Sequence, residues 1–123
     1  MLELAILGFL KEEPLHGYEL KQRLAMLTGH ARPVSDGALY PAIARMERKG
    51  WLTRRQEPGK AAAPRQVLEL TPEGEQELLR RLRTPAEMEI SNSSQFVILL
   101  AFLKYLGPAE QRLVLVRRLE FLE

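Results

Sequence analysis

The chain has 123 residues, 46% of them hydrophobic, with 18 basic side chains against 16 acidic ones; this suits one domain, or one small domain with an appendage, and is enough for an apolar core. It contains no cysteine, which excludes disulfides, thiolate nucleophiles and thiolate zinc sites together and fits a reducing compartment. No apolar run approaches the roughly eighteen residues of a membrane span, and the N-terminus lacks the basic start and cleavage site of a signal peptide, so a cytoplasmic protein that engages no membrane is expected.

Residues 2 to 10, Leu-Glu-Leu-Ala-Ile-Leu-Gly-Phe-Leu, are apolar nearly all round and free of proline. A helix of this kind needs partners on several sides, from its own domain or from a second subunit. Lys11-Glu12-Glu13-Pro14 ends it. A second helix is expected from about Leu15-His16-Gly17, carrying Tyr18, Leu20, Leu24 and Leu27 at helical spacing until Thr28-Gly29. The third has both its ends written out. Ser35 is a good N-cap, Asp36 suits the positive end of the dipole, and Lys49-Gly50 marks the stop. Leu39, Ala42, Ile43 and Met46 form its apolar stripe, leaving Ser35, Gly37, Tyr40, Arg45 and Arg48 for other sides. Pro41 withholds a donor from the Gly37 carbonyl, so a bend is expected there.

After Gly50 the pattern changes. Trp51 to Gln56 and Arg65 to Leu70 alternate in part and are separated by a Pro58-Gly59 turn signal, so they are expected to pair as an antiparallel hairpin with a basic tip. Thr71-Pro72-Glu73 starts a fourth helix, running to about Arg83 with Leu78, Leu79 and Leu82 on one side. Thr84-Pro85 and Ser91-Asn92-Ser93-Ser94 suggest a linker over residues 84–93. Residues 96–106 hold a single charge, and a last helix follows Gly107-Pro108. Two such apolar helices exceed what one small domain can cover, and an exposed patch of that size marks an interface. The pattern breaks off at Glu123 without a C-cap, which points to a shortened chain or a frayed end. The expected fold is mainly α with a small β-hairpin: a first unit over 1–83, a linker over 84–93 and a helical segment over 94–123.

Charge is distributed unevenly. From Arg32 to Gln66 there are eight basic residues and three acidic ones, a net of +5, whereas the other 88 residues carry ten basic and thirteen acidic. Positive charge is concentrated around the third helix and the hairpin, where a phosphate backbone would be met.

Three ordered motifs resemble the PadR family of bacterial transcriptional regulators: His16-Gly17-Tyr18-Glu19-Leu20; Ser35-x-Gly37-x-Leu39-Tyr40-Pro41-x-Ile43-x-Arg45-Met46-Glu47-x-x-Gly50; and Pro64-Arg65 with Leu70-Thr71-x-x-Gly74. The resemblance implies a winged helix-turn-helix domain joined to a helical dimerisation segment, acting mostly as a repressor. It further implies that the first helix helps form the dimer and that a small hydrophobic or aromatic effector is recognised. The apolar tail looks like the start of the longer family type. Asp36, Ala38, Ala62-Ala63-Pro64-Arg65, Gln66 and Leu68 depart from the family's pattern, the wing more than the third helix.

In such a domain the second helix of the pair enters the major groove with its N-terminal residues at the base edges. Expected DNA contacts are therefore His16, Tyr18, Ser35, Gly37, Ala38, Tyr40, Arg45, Arg48 and Lys49, with Lys60 and Arg65 from the wing and Arg54 or Arg55 beside them. Double-stranded DNA and a second copy of the chain are the expected partners. For dimerisation or a ligand pocket the expected residues are Leu4, Leu7, Phe96, Leu99, Leu100, Phe102, Leu103, Tyr105, Leu115, Leu119 and Leu122. Each has a plainer reading: Tyr18 and Tyr40 as half-buried packing residues, the arginines as a solvated face, Trp51 as core. His16 and His30 lack nearby carboxylates or a third ligand at metal spacing, so neither a metal nor another cofactor is expected. No nucleophile turn or metal motif suggests an enzyme. The competing function is a winged-helix interaction module that leaves DNA alone.

Overall fold

The computed structural model describes residues 1–29, 34–57 and 65–123. Its elements follow the order α1 (Leu2–Glu12), β1 (Leu15–His16), α2 (Gly17–Thr28), α3 (Asp36–Arg48), β2 (Leu52–Glu57), β3 (Arg65–Leu70), α4 (Pro72–Arg83), α5 (Glu87–Ser91), α6 (Ser93–Phe102), a 3₁₀ turn (Leu103–Tyr105) and α7 (Pro108–Leu122). The chain is mainly helical, as expected, but its sheet has three strands in the order β1-β3-β2, all antiparallel. Leu15 pairs with Leu68 and His16 with Val67, so the start of the second helix is tied to the hairpin by a two-residue strand. In the hairpin, Leu52 lies opposite Leu70 and Glu57 opposite Arg65.

One apolar cluster holds these elements together, from Leu4 in α1 to Val114 in α7. Helix α1 is apolar all round because it is surrounded: it packs on α2, α3, α4, α6 and β3. Leu4, Leu7, Leu99, Phe102 and Leu103, expected at an interface or ligand pocket, pack inside the protomer, with no more than 4% of any of them exposed. Each such side chain contributes about 1.5–3 kcal/mol by leaving water. α6 reaches α1 closely because Gly8 has no side chain, and the Phe102 ring lies over it while meeting Phe9 edge-on at 5.1 Å.

The stretch expected as a linker carries α5, whose Ile90 is buried in the same cluster. The Ala86 N–H donates to Glu89 Oε1 at 2.7 Å, fixing its first turn. Arg118 of α7 donates to the carbonyls of Ile90 and Ser91 at the other end, at 2.7 and 3.1 Å. These carbonyls belong to a helix terminus and would otherwise lack partners. At α4, Thr71 Oγ1 accepts from the Gly74 N–H at 3.0 Å and donates to the Gly50 carbonyl at 2.6 Å, joining the helix start to the end of α3.

Candidate nucleic-acid interface

Helix α3 begins and ends as its sequence dictates. Ser35 Oγ accepts from the Ala38 N–H at 3.2 Å. At the other end Gly50 takes φ +79°, the Trp51 N–H donates to the Met46 carbonyl and the Gly50 N–H to the Glu47 carbonyl, both at 3.0 Å. This pair of hydrogen bonds around a left-handed glycine stops the helix and satisfies the Met46 and Glu47 carbonyls. Pro41 lies within the helix, on an exposed site, and the helix runs through it. Leu39, Ala42, Ile43 and Met46 are buried at 0–1%. Helical periodicity therefore turns Gly37, Pro41, Ala44 and Arg48 outward, with Ala38 and Arg45 on one flank and Tyr40 and Glu47 on the other.

Between the first turn of α2, the Tyr40 flank of α3 and the hairpin lies a cleft of about 440 Å³, lined by Tyr18, Tyr40, Ile43, Arg54, Arg65 and Leu68 among others. The Tyr40 ring rests against Gly17, where an added Cβ would lie 3.5 Å from Cε1. Tyr18 is 68% exposed and so is not the half-buried packing residue of the plainer reading, whereas Tyr40, at 44%, is half-buried against Gly17 with the rest of its ring open to solvent. His16 borders the cleft. Its N–H donates to Glu19 Oε1 at 3.0 Å, its Nδ1 is hydrogen-bonded to the same oxygen, and its Nε2 lies 3.7 Å from Glu57. The expectation that His16 lacks nearby carboxylates is therefore corrected: Glu19 is one turn along α2 and Glu57 comes from β2. The His16 backbone N–H, and then its ring, hold the Glu19 carboxyl below the usual carboxylate range. Among the described residues no group of three or more His, Cys, Asp or Glu could hold a metal ion.

Cations surround this surface, mostly in loose pairs. Arg45 Nε lies 3.8 Å from Glu3, and Arg55 lies 3.9 Å from Glu57 and 3.8 Å from Glu69. Arg54 donates to Glu47 at 3.0 Å and to Gln66 at 3.3 Å. Surface pairs of this sort contribute about 0–1 kcal/mol, so exchanging a carboxylate for a phosphate costs little. Arg48 and Arg65 enter no ion pair among the described residues, and Lys49 lies 4.7 Å over the Trp51 ring. Trp51 is partly buried and packs against the apolar cluster, with Lys49 and, at 5.1 Å, Arg81 over its ring.

Of the expected contacts, His16, Gly37, Ala38, Ser35, Tyr18 and Tyr40 gather at the start of α3 and the mouth of the cleft, Arg48 and Lys49 at its far end. Arg45 is turned toward α1, and Arg65 stands at the hairpin's outer end. Lys60 lies outside the described residues. Sequence reasoning missed Lys21. Its ammonium donates to Asp36 Oδ1 at 2.5 Å, bridging the two helices of the pair. That hydrogen bond holds the Lys21 ammonium above the usual lysine range, and the phenols of Tyr40 and Tyr18 add to it. The available signal was its place one turn beyond Tyr18 on the same face of α2.

An α2–α3 pair docked on a three-stranded sheet, with a hairpin beside the second helix, is a winged helix-turn-helix. Residues 6–80 match the model of the Transcriptional regulator PadR-like family, and the chain belongs to that family of regulators, which are not enzymes. Among similar solved structures, a PadR-like transcription factor from Bacteroides fragilis is 29% identical, with 65% of this chain and 75% of that one covered at a TM-score of 0.58. A PadR family regulator from Eggerthella lenta is 31% identical over 61% and 65% of the two chains, at 0.51. Bacillus subtilis PadR in complex with operator DNA shares the fold across 97% of this chain and 68% of its own, at 23% identity and a TM-score of 0.64. No curated protein matches the chain.

Proposed function

We propose that this regulator binds double-stranded DNA sequence-specifically as a homodimer on an inverted repeat, with α3 in the major groove and the hairpin along the neighbouring phosphates, and that it represses transcription until a small hydrophobic or aromatic effector releases it. The observation that carries the DNA reading is the outward face of α3: Gly37, Pro41 and Ala44 are too small to hold the helix off a groove, and Arg48 at its end is unpaired among the described residues. Arg54, Arg55 and Arg65 flank it from the sheet. The B. subtilis protein of the same fold was captured with operator DNA, which supports the same docking here.

Support for the dimer comes from α7, where Leu115, Leu119 and Leu122 recur on one side and are 43–63% exposed. Support for an effector comes from an apolar groove of about 390 Å³ between α2 and α6, lined in part by Leu27, Val97 and Ile98. Fluorescence anisotropy with a fragment of the chain's own promoter tests the reading. Affinity should fall steeply with salt as counterions return to the DNA, and Arg48→Ala and Arg65→Ala should each lower the salt slope by about one. Binding that is absent, or indifferent to both salt and sequence, defeats it.

A further inference from the structure

A carboxylate is an unexpected group at the leading end of a helix meant for DNA. Asp36 is the first residue of α3, its side chain is 64% exposed, and it pairs with Lys21 of α2. Near phosphates an unpartnered carboxylate is repelled at every site, whatever the sequence. Two features here change that. The Lys21 ammonium, 2.5 Å away on α2, offsets the charge and fixes the carboxylate's position. Only one of its oxygens is engaged by this contact, since Lys21 donates to Oδ1. Among the described residues no partner engages Oδ2, which stands as an acceptor at the end of the helix that meets base edges. In the major groove, cytosine presents an amino donor at N4, while guanine and thymine present acceptors that would face a carboxylate lone pair to lone pair.

On the strength of the DNA-binding function proposed above, we propose that Asp36 is a specificity-determining residue that accepts from the N4 amino group of a cytosine, with Lys21 as the residue that positions it. Asp36 then works by rejection as well as by attraction. At a site offering guanine or thymine the acceptor pair is repulsive, and adenine sets its N7 acceptor beside its N6 donor, whereas cytosine offers an amino donor with no acceptor next to it to oppose the carboxylate. Gly37 and Ala38 behind it add no competing side-chain donor or acceptor.

Selection of bound duplexes from a randomised library, followed by anisotropy on single-base variants, tests this with wild type, Asp36→Ala, Asp36→Asn and Lys21→Met. Wild type should prefer cytosine at one position of each half-site by about 10-fold. Asp36→Ala should lose that preference at that position alone while binding mismatched sites more tightly than wild type. Asp36→Asn should shift the preference toward adenine, because a carboxamide pairs with adenine's N6 and N7 together. Lys21→Met should blur the preference without moving it to another base. Preferences that survive unchanged in Asp36→Ala overturn the role of Asp36 and leave the DNA-binding function standing. A wild type with no base preference at any position overturns that function and this inference with it. Circular dichroism of each variant confirms that the helices persist.

Discussion

At the scale of single residues, one sharp constraint is of space. A Cβ placed on Gly8 would lie 2.4 Å from Phe102 Cδ1, and that ring is only 1% exposed, so it has nowhere to swing. Gly8→Ala is expected to destabilise the chain by about 1–3 kcal/mol through overpacking, read as a lower urea midpoint at unchanged slope. Ser35 and Gly50 were legible from the sequence alone, because a cap and a left-handed stop act within a few residues of themselves. The bond between Lys21 and Asp36 was not. It spans fifteen residues and depends on the angle between two helices, which no local pattern records. The placement of Glu57 beside His16 was hidden for the same reason, since it requires β2 and β1 to flank the same strand.

Among the elements, α4 is the most heavily charged helix and shows how its pairs set a pH dependence. Glu77 accepts from Arg80 at 2.8 and 2.7 Å and from Arg81 at 2.6 Å, while Arg81 also donates to Glu3 of α1 at 2.9 Å. Hydrogen bonds from Arg80, and then Arg81, hold the Glu77 carboxyl down at about 2, against an ordinary value of 4.5. A carboxylate with a depressed folded value contributes stability that is fully present above 4.5 and is lost as the pH falls toward 2. The gap in urea midpoint between wild type and Glu77→Gln should accordingly be open at pH 7 and close across that acid window. Strong periodicity or paired start signals made α1 to α4 readable, and the hairpin followed from its turn residues. β1 was unreadable because two residues cannot show alternation, and its pairing to Val67 and Leu68 is decided by the sheet. α5 escaped notice because its five residues carry one buried side chain and their terminal carbonyls are satisfied from α7.

Over the whole molecule, the apolar ends of the chain divide differently from what composition suggests. α1 and α6 spend most of their apolar surface inside the protomer, and α7 does not: of its apolar side chains Val114 is buried, while Leu113, Leu115, Val116, Leu119, Phe121 and Leu122 remain at least 40% exposed. Composition could show that too much apolar surface was present, but only the packing could show where the excess emerges. If α7 forms the proposed dimer, Leu119→Glu should convert a two-copy species to a single copy in sedimentation equilibrium, with helix content unchanged. The proposed half-site affinity would survive, and cooperative occupancy of the inverted repeat would be lost.

The chain contains one tryptophan, and its ring lies against two cations, Lys49 at the end of α3 and Arg81 on α4. Cations over an indole face are held by the ring's quadrupole and alter its electronic surroundings. Any event that draws Lys49 away toward a phosphate would also remove a charge from the only indole in the molecule. The protein thus carries an optical label of its own, with no dye attached, at the heel of the helix whose docking is in question.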